Sequence, residues 1–569
     1  MMPASTSPTA PTGIARLADR PYADVLIIGG GINGIATFRD LALQGVDVAL
    51  VDRSDVITGA SAASSHMVHG GVRYLENGEF RLVHEAVTER NDLLGTAPHY
   101  VRPLQTTIPI YSTFSGILNA PLRFLRHGAG KPQERGAALI KIGLVIYDSF
   151  SRGGGRVPRH EFHGRKRSLR TLPRLNPGVK YTATYWDASM HDPERLAIDV
   201  ARDGVTAGGD KARIATYAAA VGARDGKVIL RDADTGEELA FSAGVVVNAS
   251  GPWTDLTNEA LGRPTRYMGG TKGSHIVVDN PELLEATGGR EIFFEHNDGR
   301  IVLIYPLKGK VLIGTTDLEH DMSEPAVCTP EEVAYFVELA AHVFPSIPVD
   351  PDTIVYRFSG VRPLPGHGDE APGFVSRDYR IETATLPTGD ATVFSLVGGK
   401  WTTFRASAER LTDHVLEALA RPRRSSTRGL AIGGGKDYPR TERARQAWLD
   451  DNAGSLPRER AAQLLDRYGT VATGVIAAIA ADDSDAPLPG APGYSTAELR
   501  HLARTEHVRH LEDMLMRRTS MAFTGLASEE NARAVAEAIA DTLGWDAATV
   551  DAEVVRGLAH VNYAVPEYA

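Results

Sequence analysis

The stretch Asp24–Asp52, DVLIIGGGINGIATFRDLALQGVDVALVD, determines the fold class. Its apolar start, Asp24–Ile28, predicts a buried parallel strand that leads directly into a G-x-G-x-x-G match at Gly29–Gly34. A helical pattern follows, and a second short strand, Asp47–Val51, ends at Asp52. Strand, glycine turn, helix, strand and terminal acid in this order predict a dinucleotide-binding βαβ unit.

The residue types of this unit suit the phosphates and the ribose of a dinucleotide. Gly29 permits the tight turn, Gly31 lets backbone N–H groups approach a pyrophosphate, and Gly34 lets the helix pack close to the strand. Asp52 is placed to accept hydrogen bonds from a ribose hydroxyl. The pattern does not separate FAD from NAD, so both cofactors stay open at this point.

Length and composition describe an ordinary globular protein of three or four domains. The chain has 569 residues, of which 43% are hydrophobic and 23% charged, and its formal net charge is −10. This charge argues against a dedicated nucleic-acid binder. The single cysteine, Cys328, excludes intramolecular disulfides, cysteine-rich zinc sites and iron–sulfur clusters, and we expect no metal site.

The sequence predicts no membrane-spanning helix. The longest apolar candidate, Gly136–Tyr147, is too short and contains Lys141. Residues 1–20 are rich in Pro, Ser, Thr and Ala without an apolar core, which predicts a disordered tail rather than a secretory signal.

Seven motifs further along the chain carry a resemblance to a known family. They are GGGINGIA (29–36), SSHMVHGGVRYLE (64–76), NASGPW (248–253), KGSHIVV (272–278), IGTTD (313–317), SGVRPL (359–364) and GGKWTTFR (398–405). In this order they resemble the FAD-dependent glycerol-3-phosphate dehydrogenases of the quinone-linked, aerobic type. The resemblance covers residues 22–410 and extends more loosely through DMLMRRT (513–519). It implies FAD as the cofactor.

The resemblance also implies an α/β architecture in three parts. The first is a Rossmann-like FAD-binding domain, similar to glutathione reductase and the amino-acid oxidases, built from residues 21–100, 185–265 and 350–415. The second is a β-sheet substrate or cap domain at 101–184 and 266–349, in which 300–306 and 310–315 predict strands and Thr329–Glu332 a helix-capping box. The third is an all-helical C-terminal domain at 420–569.

Residues of these motifs are the expected contacts of the cofactor. They are small, hydroxyl-bearing or glycine residues suited to a flat ring and a pyrophosphate, with a few polar side chains. The expected set is Gly29, Gly31, Asn33, Gly34, Asp52, Ser61, Ser64, Ser65, His69, Gly70, Gly71, Ser250, Gly251, Gly398, Gly399, Lys400, Trp401 and Thr402.

The implied reaction needs a proton acceptor and fixed positive charge. An acceptor should titrate near neutrality, which favours histidine, and of 18 histidines His69 and His275 lie in the family motifs. A phosphate and a developing alkoxide both favour arginine. By resemblance, the catalytic residues are His69, His275 and Arg362, and the substrate pocket is lined by Arg73, Tyr74, Arg300, Arg362 and Lys400.

One position departs from the family pattern. His66 stands where the family often has lysine, which affects the expected flavin environment and acceptor preference. The predicted activity is oxidation of sn-glycerol 3-phosphate to dihydroxyacetone phosphate, with hydride transfer to N5 of FAD and electrons passed to membrane quinone. Three alternatives remain: another polyol phosphate such as a tetritol phosphate, an oxygen-using oxidase, or a non-enzymatic flavin-binding sensor.

The segment 121–174 is unusually basic for this chain. It holds thirteen Lys and Arg residues against three acids, interleaved with apolar side chains. This composition is typical of an interfacial anchor on an anionic lipid surface, and equally of a solvated loop over a core helix. We therefore expect a cytoplasmic protein, peripheral on the inner face of the cytoplasmic membrane, that contacts quinone or lipid through this segment. A homodimer is a further option.

Overall fold

A computed structural model gives the fold. It describes residues 13–71, 80–112, 137–151, 157–295, 301–322, 324–366 and 378–562.

The elements named below are numbered in chain order. The strands are β1 (Tyr22–Ile28), β2 (Val48–Val51), β3 (Met67–Val68), β4 (Val101–Ile110), β5 (Glu161–Gly164), β6 (Tyr181–Met190), β7 (Ala212–Ala215), β8 (Ala218–Arg224), β9 (Lys227–Asp232), β10 (Glu238–Asn248), β11 (Thr271–Val278), β12 (Glu291–Glu295), β13 (Ile301–Leu307), β14 (Lys310–Gly314), β15 (Leu318–Glu319), β16 (Ile354–Arg362), β17 (Arg380–Thr385), β18 (Thr392–Val397), β19 (Pro487–Leu488) and β20 (Ala491–Ser495). The helices are α1 (Ala15–Ala18), α2 (Ile32–Leu43), α3 (Phe80–Thr96), α4 (Ala137–Ser151), α5 (Arg165–Thr171), α6 (Pro193–Gly208), α7 (Thr254–Ala260), α8 (Pro281–Ala286), α9 (Pro330–Val343), α10 (Phe404–Ala418), α11 (Glu442–Asn452), α12 (Arg458–Tyr468), α13 (Ala472–Ala480), α14 (Thr496–Thr505), α15 (Leu511–Asp513), a π-helical turn (Met514–Arg518), α16 (Met521–Thr524), α17 (Glu529–Leu543) and α18 (Ala547–Val561).

The first sheet has a parallel core in the order β18-β10-β1-β2-β7. The predicted strands at 24–28 and 47–51 are confirmed as β1 and β2, and β2 is buried along its whole length. The antiparallel strand β17 closes one edge, and the hairpin β8–β9 continues from β10. Asn248 pairs with both Ile28 and Ser395, so the carboxyl ends of three strands lie side by side.

Helices cover this sheet because its strands are apolar on both faces. On one side, α2 packs between α6 and α10. Phe38 and Leu41 of α2 share a hydrophobic cluster with Val25 and Leu50 of the sheet. The opposite face receives part of the predicted N-terminal tail, since residues 13–20 include α1, whose Leu17 is buried beside Leu26.

The second sheet runs β15-β11-β14-β13-β12-β4-β6-β3, with β16 on β11 and β5 on β6. The predicted strands at 300–306 and 310–315 correspond to β13 and β14 of this sheet, and the predicted capping box on Glu332 begins α9. Most of β6, together with β16, lies in ranges expected for the nucleotide domain. Both pair in the second sheet instead, because each aligns antiparallel with a long neighbour, β4 or β11.

The chain after residue 420 is helical, with one addition to the predicted pattern. The loop expected at 482–493 contains part of a short hairpin, β19–β20. Buried ion pairs join these helices to the part of the chain around the first sheet. Arg518 pairs with Asp55 after β2, and Glu506 pairs with Arg195 of α6. Among the residues that the structure describes, no helix has the length and apolarity needed to cross a membrane.

Candidate active site

Three turns meet at the carboxyl ends of β1, β10 and β18: the first is 29–31, the second 249–253 and the third 398–403. A Cβ atom on Gly29, whose φ is +112°, would lie 2.6 Å from the Ala249 carbonyl oxygen, so the first two turns touch through their backbones. A Cβ atom on Gly399 would lie 2.6 Å from Nδ2 of Asn33, so the third turn touches the first turn of α2. Because the turns touch one another, a dinucleotide bound at the first turn would also lie next to the other two.

The start of α2 is suited to a pyrophosphate. A Cβ atom on Gly34 would lie 1.9 Å from the Gly29 carbonyl oxygen, so only glycine allows this close packing of helix and strand. Gly31 precedes the helix in extended backbone, where N–H groups of the first turn are available to an anion. Oδ1 of Asn33 is buried with no hydrogen-bond partner among the described residues, as expected where a polar ligand completes the site.

Asp52 ends β2 at the expected place. Its Oδ2 accepts a hydrogen bond from the Gly30 N–H at 2.6 Å, and its Oδ1 accepts one from the Ser54 N–H at 2.9 Å. Burial raises the pKa of the Asp52 carboxyl above its ordinary value. A carboxylate oxygen can accept two hydrogen bonds, and Oδ2 accepts one among the described residues, so it retains capacity for a ribose hydroxyl.

Ser61 and Trp401 connect the loop after β2 to the third turn. Oγ of Ser61 accepts a hydrogen bond from the Ile32 N–H at 3.0 Å, and its carbonyl accepts one from Nε1 of Trp401, also at 3.0 Å. On the far side of the loop, Oγ1 of Thr402 donates to the His69 carbonyl at 3.3 Å. The remaining predicted contacts lie on these same segments: Ser64, Ser65, Gly70, Gly71, Ser250, Gly251, Gly398 and Lys400.

His275 lies on β11 and reaches across to the same loop. Its Nε2 is 2.8 Å from Oγ of Ser65, and its ring stacks on Phe358 with centroids 4.8 Å apart. Its Nδ1 is buried without a hydrogen-bond partner among the described residues. Burial, reinforced by the charge of Arg362, lowers the pKa of His275 to about 3. The expected titration near neutrality is wrong for His275, because β11 is buried along its whole length.

Arg362 stands at the end of β16, beside β11. Its guanidinium donates to Oδ1 of Asp317 at 2.9 Å and to Oγ1 of Thr315 and the Thr316 carbonyl, each at 2.9 Å. It is about one quarter exposed, so the ion pair orients the cation without burying it completely. A planar cation fixed in this way is suited to an oxyanion or a phosphate.

Other predicted site residues divide into two groups. Lys400 is half-buried in the third turn. Burial raises the pKa of Glu85, and the positive charge of Lys400 opposes this increase. Arg73, Tyr74 and Arg300 lie outside the described residues.

His66, the departure from the family pattern, faces the C-terminal helices. Its backbone φ is +55°, its Nδ1 is 3.2 Å from the Met190 carbonyl, and its ring centroid lies 5.0 Å from that of Phe523. Burial lowers the pKa of His66 to about 4. This side chain is therefore neutral at physiological pH.

The sequence alone does not predict a role for two residues that organise the site, Asp317 and Phe358. Asp317 lies in the quoted IGTTD motif, yet its pairing with Arg362 depends on how β16 folds against β11. Phe358 lies one residue before SGVRPL and stacks on His275. No local pattern signals either contact, because each joins segments distant in sequence.

Comparison with known proteins agrees with this geometry. The sequence model of a family described as FAD dependent oxidoreductase matches residues 24–414, and that of the C-terminal domain of alpha-glycerophosphate oxidase matches residues 425–550. The chain is 32% identical to aerobic glycerol-3-phosphate dehydrogenase from Escherichia coli, over 87% of this chain and 93% of that protein. It is also 32% identical to D-erythritol 1-phosphate dehydrogenase from Brucella abortus, over 88% of this chain and 95% of that one.

A solved structure extends the agreement to the whole fold. Glycerol-3-phosphate dehydrogenase from Bacillus halodurans, complexed with FAD, covers 97% of both chains with a TM-score of 0.73 at 22% identity. The fold and the glycine-rich turns define an FAD-dependent oxidoreductase. The chain belongs to that family and, within it, to the glycerol-3-phosphate dehydrogenases. The predicted fold class and the choice of FAD over NAD are confirmed.

Proposed function

We propose that the protein oxidises sn-glycerol 3-phosphate to dihydroxyacetone phosphate. The observation that carries the proposal is the placement of His275 and Arg362 on neighbouring strands, with His275 bonded to the loop that borders the nucleotide turns. The reaction removes a hydride from the secondary alcohol carbon and a proton from its hydroxyl. When bound, FAD would accept the hydride at N5.

His275 is our first candidate for the proton acceptor. Its low pKa keeps the ring neutral at physiological pH but also makes it a weak base, so it would take the hydroxyl proton only as departure of the hydride makes that proton strongly acidic. If Nε2 donates to Ser65, Nδ1 carries the lone pair, and this is the nitrogen without a partner among the described residues. His69, in the loop that Thr402 contacts, is the second candidate.

The cations are assigned to the charges of the substrate. Arg362 would stabilise the developing alkoxide, since its guanidinium is held by Asp317 and remains partly exposed. Lys400, Arg73, Tyr74 and Arg300 are proposed to hold the phosphate. A non-enzymatic flavin-binding sensor would need neither a proton acceptor nor such cations, so we rank it below the enzyme.

A longer polyol phosphate is the second candidate substrate. Its support is the D-erythritol 1-phosphate dehydrogenase relative, whose identity to this chain equals that of the E. coli enzyme. The deciding experiment is a dye-linked assay of FAD-loaded protein with glycerol 3-phosphate, erythritol phosphate and unphosphorylated glycerol. We expect the highest kcat/KM with glycerol 3-phosphate. A clearly higher kcat/KM with erythritol phosphate would instead identify the four-carbon phosphate as the substrate.

We propose membrane quinone as the electron acceptor. The oxidase alternative predicts stoichiometric hydrogen peroxide during turnover in air, whereas the dehydrogenase predicts little peroxide and rapid turnover with a soluble quinone. Measuring hydrogen peroxide formation and quinone reduction on one preparation separates these alternatives.

We propose that α4 and α5 dock the enzyme on an anionic lipid surface. On α4, Ile142 and Val145 are 59% and 54% exposed beside the exposed Lys141, and α5 adds Arg165 and Lys166. An apolar stripe flanked by cations is typical of an interfacial helix. Residues 121–136 and 152–156 of the basic segment lie outside the described residues.

Vesicle flotation tests this docking surface. We expect salt-sensitive binding to phosphatidylglycerol vesicles, lost in a variant with Ile142→Glu and Val145→Glu. Val555→Glu is the matched control, since Val555 is 71% exposed on the C-terminal helix α18. Equal binding by both variants would remove α4 from the docking surface.

A further inference from the structure

A buried hydrogen-bond cluster holds the loop of His69 from behind. Oδ1 of Asp187 accepts the Gly70 N–H at 3.0 Å, the Tyr147 hydroxyl at 2.6 Å and Nη1 of Arg90 at 2.9 Å. Nη1 of Arg90 also lies 2.7 Å from the Tyr147 oxygen. Three donors therefore converge on one carboxylate oxygen, and one of them is the backbone of the candidate catalytic loop.

The cluster is sealed from water. The side chains of Arg90 and Asp187 are 0% and 1% exposed, and Tyr147 is also fully buried. Burial and the charge of Asp187 raise the pKa of Tyr147 well above its usual range, so its hydroxyl remains a donor. In such surroundings each of these hydrogen bonds is stronger than in water, and losing one leaves a polar group unsatisfied.

The fit around Gly70 leaves no room for a side chain. A Cβ atom there would lie 2.1 Å from the Tyr147 hydroxyl oxygen and 2.7 Å from Cγ2 of Val87. Three elements supply the side chains of this cluster: α3 supplies Arg90, α4 supplies Tyr147 and β6 supplies Asp187. On its other side, the loop is bonded through the His69 carbonyl to Thr402 of the third turn.

We propose that Tyr147 and Asp187 are positioning residues for the oxidation, acting through the Gly70 backbone to set the place of His69 beside the flavin. The inference rests on the proposed function, since it assumes that the His69 loop borders the substrate. Neither side chain takes part in the chemistry. Shifts of reacting groups by fractions of an ångström have large effects on rate, so loosening this anchor lowers turnover rather than binding.

Tyr147→Phe tests the proposal most cleanly. It keeps the ring in place and removes one of the three donors to Asp187. We expect kcat with glycerol 3-phosphate to fall roughly 10-fold while KM changes less than about twofold, with a shifted absorbance spectrum of the bound FAD. Asp187→Asn should have a larger effect, but it leaves Arg90 buried without its countercharge. If that variant does not fold, the phenylalanine variant carries the test.

Tyr185→Phe is the matched control. Its ring lies edge-on to Tyr147 with centroids 5.9 Å apart, and it shares β6 with Asp187. Among the described residues, its hydroxyl takes no part in the hydrogen bonds of Asp187. We expect kcat within about twofold of the wild type, even if the thermal midpoint of the control falls as far as that of Tyr147→Phe.

Two results would overturn the proposal. One is an unchanged kcat and flavin spectrum in a folded Tyr147→Phe protein. The other is an equal loss of kcat in the Tyr185→Phe control, which would mean a general packing effect. Failure of the proposed function is distinguishable, because the wild-type flavin would then not be reduced by glycerol 3-phosphate at all.

Discussion

Nε2 of His275 lies 2.8 Å from Oγ of Ser65, and this hydrogen bond joins the second sheet to the loop after β2. The two residues are 210 positions apart in the chain. The contact places a buried histidine of β11 against a segment that borders the glycine-rich turns. If Nε2 donates in this bond, Nδ1 is the ring nitrogen that can accept the substrate's proton in the proposed reaction.

Replacing His275 should slow flavin reduction without abolishing FAD binding. For His275→Asn we expect the rate with glycerol 3-phosphate to fall by roughly 100-fold to 10,000-fold, the usual contribution of a general base. Ser65→Ala should lose about 10-fold, because the ring is then less well oriented. Stopped-flow absorbance measures both rates, and His320→Asn, a half-buried histidine on the loop after β15, is the control.

The pH profile distinguishes the two candidate bases. His275 has a pKa of about 3, so its basic form is present throughout the neutral range and is lost only on strong acidification. If it is the base, kcat should stay level down to about pH 5, whereas kcat/KM also reports ionisation of the free substrate's phosphate at about pH 6. An acid limb of kcat that persists in His275→Asn and disappears in His69→Asn would assign the role to His69.

Arg362 should stabilise the transition state more than the ground state. Arg362→Ala is expected to lower kcat/KM by the equivalent of about 2–4 kcal/mol, and Arg362→Lys should recover only part, because lysine cannot reach Asp317 and Thr315 with the same planar geometry. Steady-state kinetics provide the measurement. Arg231→Ala removes an exposed Arg231–Glu238 pair and serves as control. A kcat/KM equal to the wild type would remove Arg362 from the site.

Gly34→Ala should yield protein without bound FAD. The added methyl would lie 1.9 Å from the Gly29 carbonyl oxygen, so α2 must move away from the turn that we propose holds the pyrophosphate. Gly143→Ala is the control, since a Cβ there meets no atom within 4 Å. FAD content by absorbance after purification reports the result, and a fully loaded Gly34→Ala protein would refute the proposed pyrophosphate site.

His510 should make stability depend on alkaline pH. Burial alone would lower its pKa, but hydrogen bonds to Asp234 and Glu553 raise the pKa to about 9. The folded-state pKa exceeds the unfolded value of about 6.5, so this stabilisation is complete below pH 6.5 and is lost as pH rises through 9. The gap in unfolding free energy between wild type and His510→Gln should narrow by about 2–3 kcal/mol over that range. Denaturant titrations at several pH values measure this difference in unfolding free energy. A difference that does not change with pH would contradict the prediction.

Much of the nucleotide half could be predicted from the sequence because its signals are local. The run into Gly29, the helix after it and the acid at Asp52 lie within one stretch, and the structure places them as expected. The convergence of the second and third turns was expected from motif resemblance, and strand pairing at Asn248 explains it physically.

The second sheet could be predicted only in outline. Two of its strands, β13 and β14, could be predicted. The pairing of β16 with β11 brings Arg362 to Asp317 and Phe358 to His275 through contacts that no local spacing encodes. The low pKa of His275 follows from burial of β11, a tertiary property. The anchoring of Gly70 by Asp187 and Tyr147 was invisible for the same reason, since it depends on three elements meeting in space.

The most direct test of the central claim is the absorbance of the bound flavin under anaerobic conditions. Adding sn-glycerol 3-phosphate to the FAD-loaded wild-type protein should bleach the oxidised flavin band and yield dihydroxyacetone phosphate in equal amount. Glycerol without phosphate should leave the band unchanged at the same concentration. A flavin that stays oxidised with glycerol 3-phosphate, while chemical reductants still bleach it, would contradict the proposed activity.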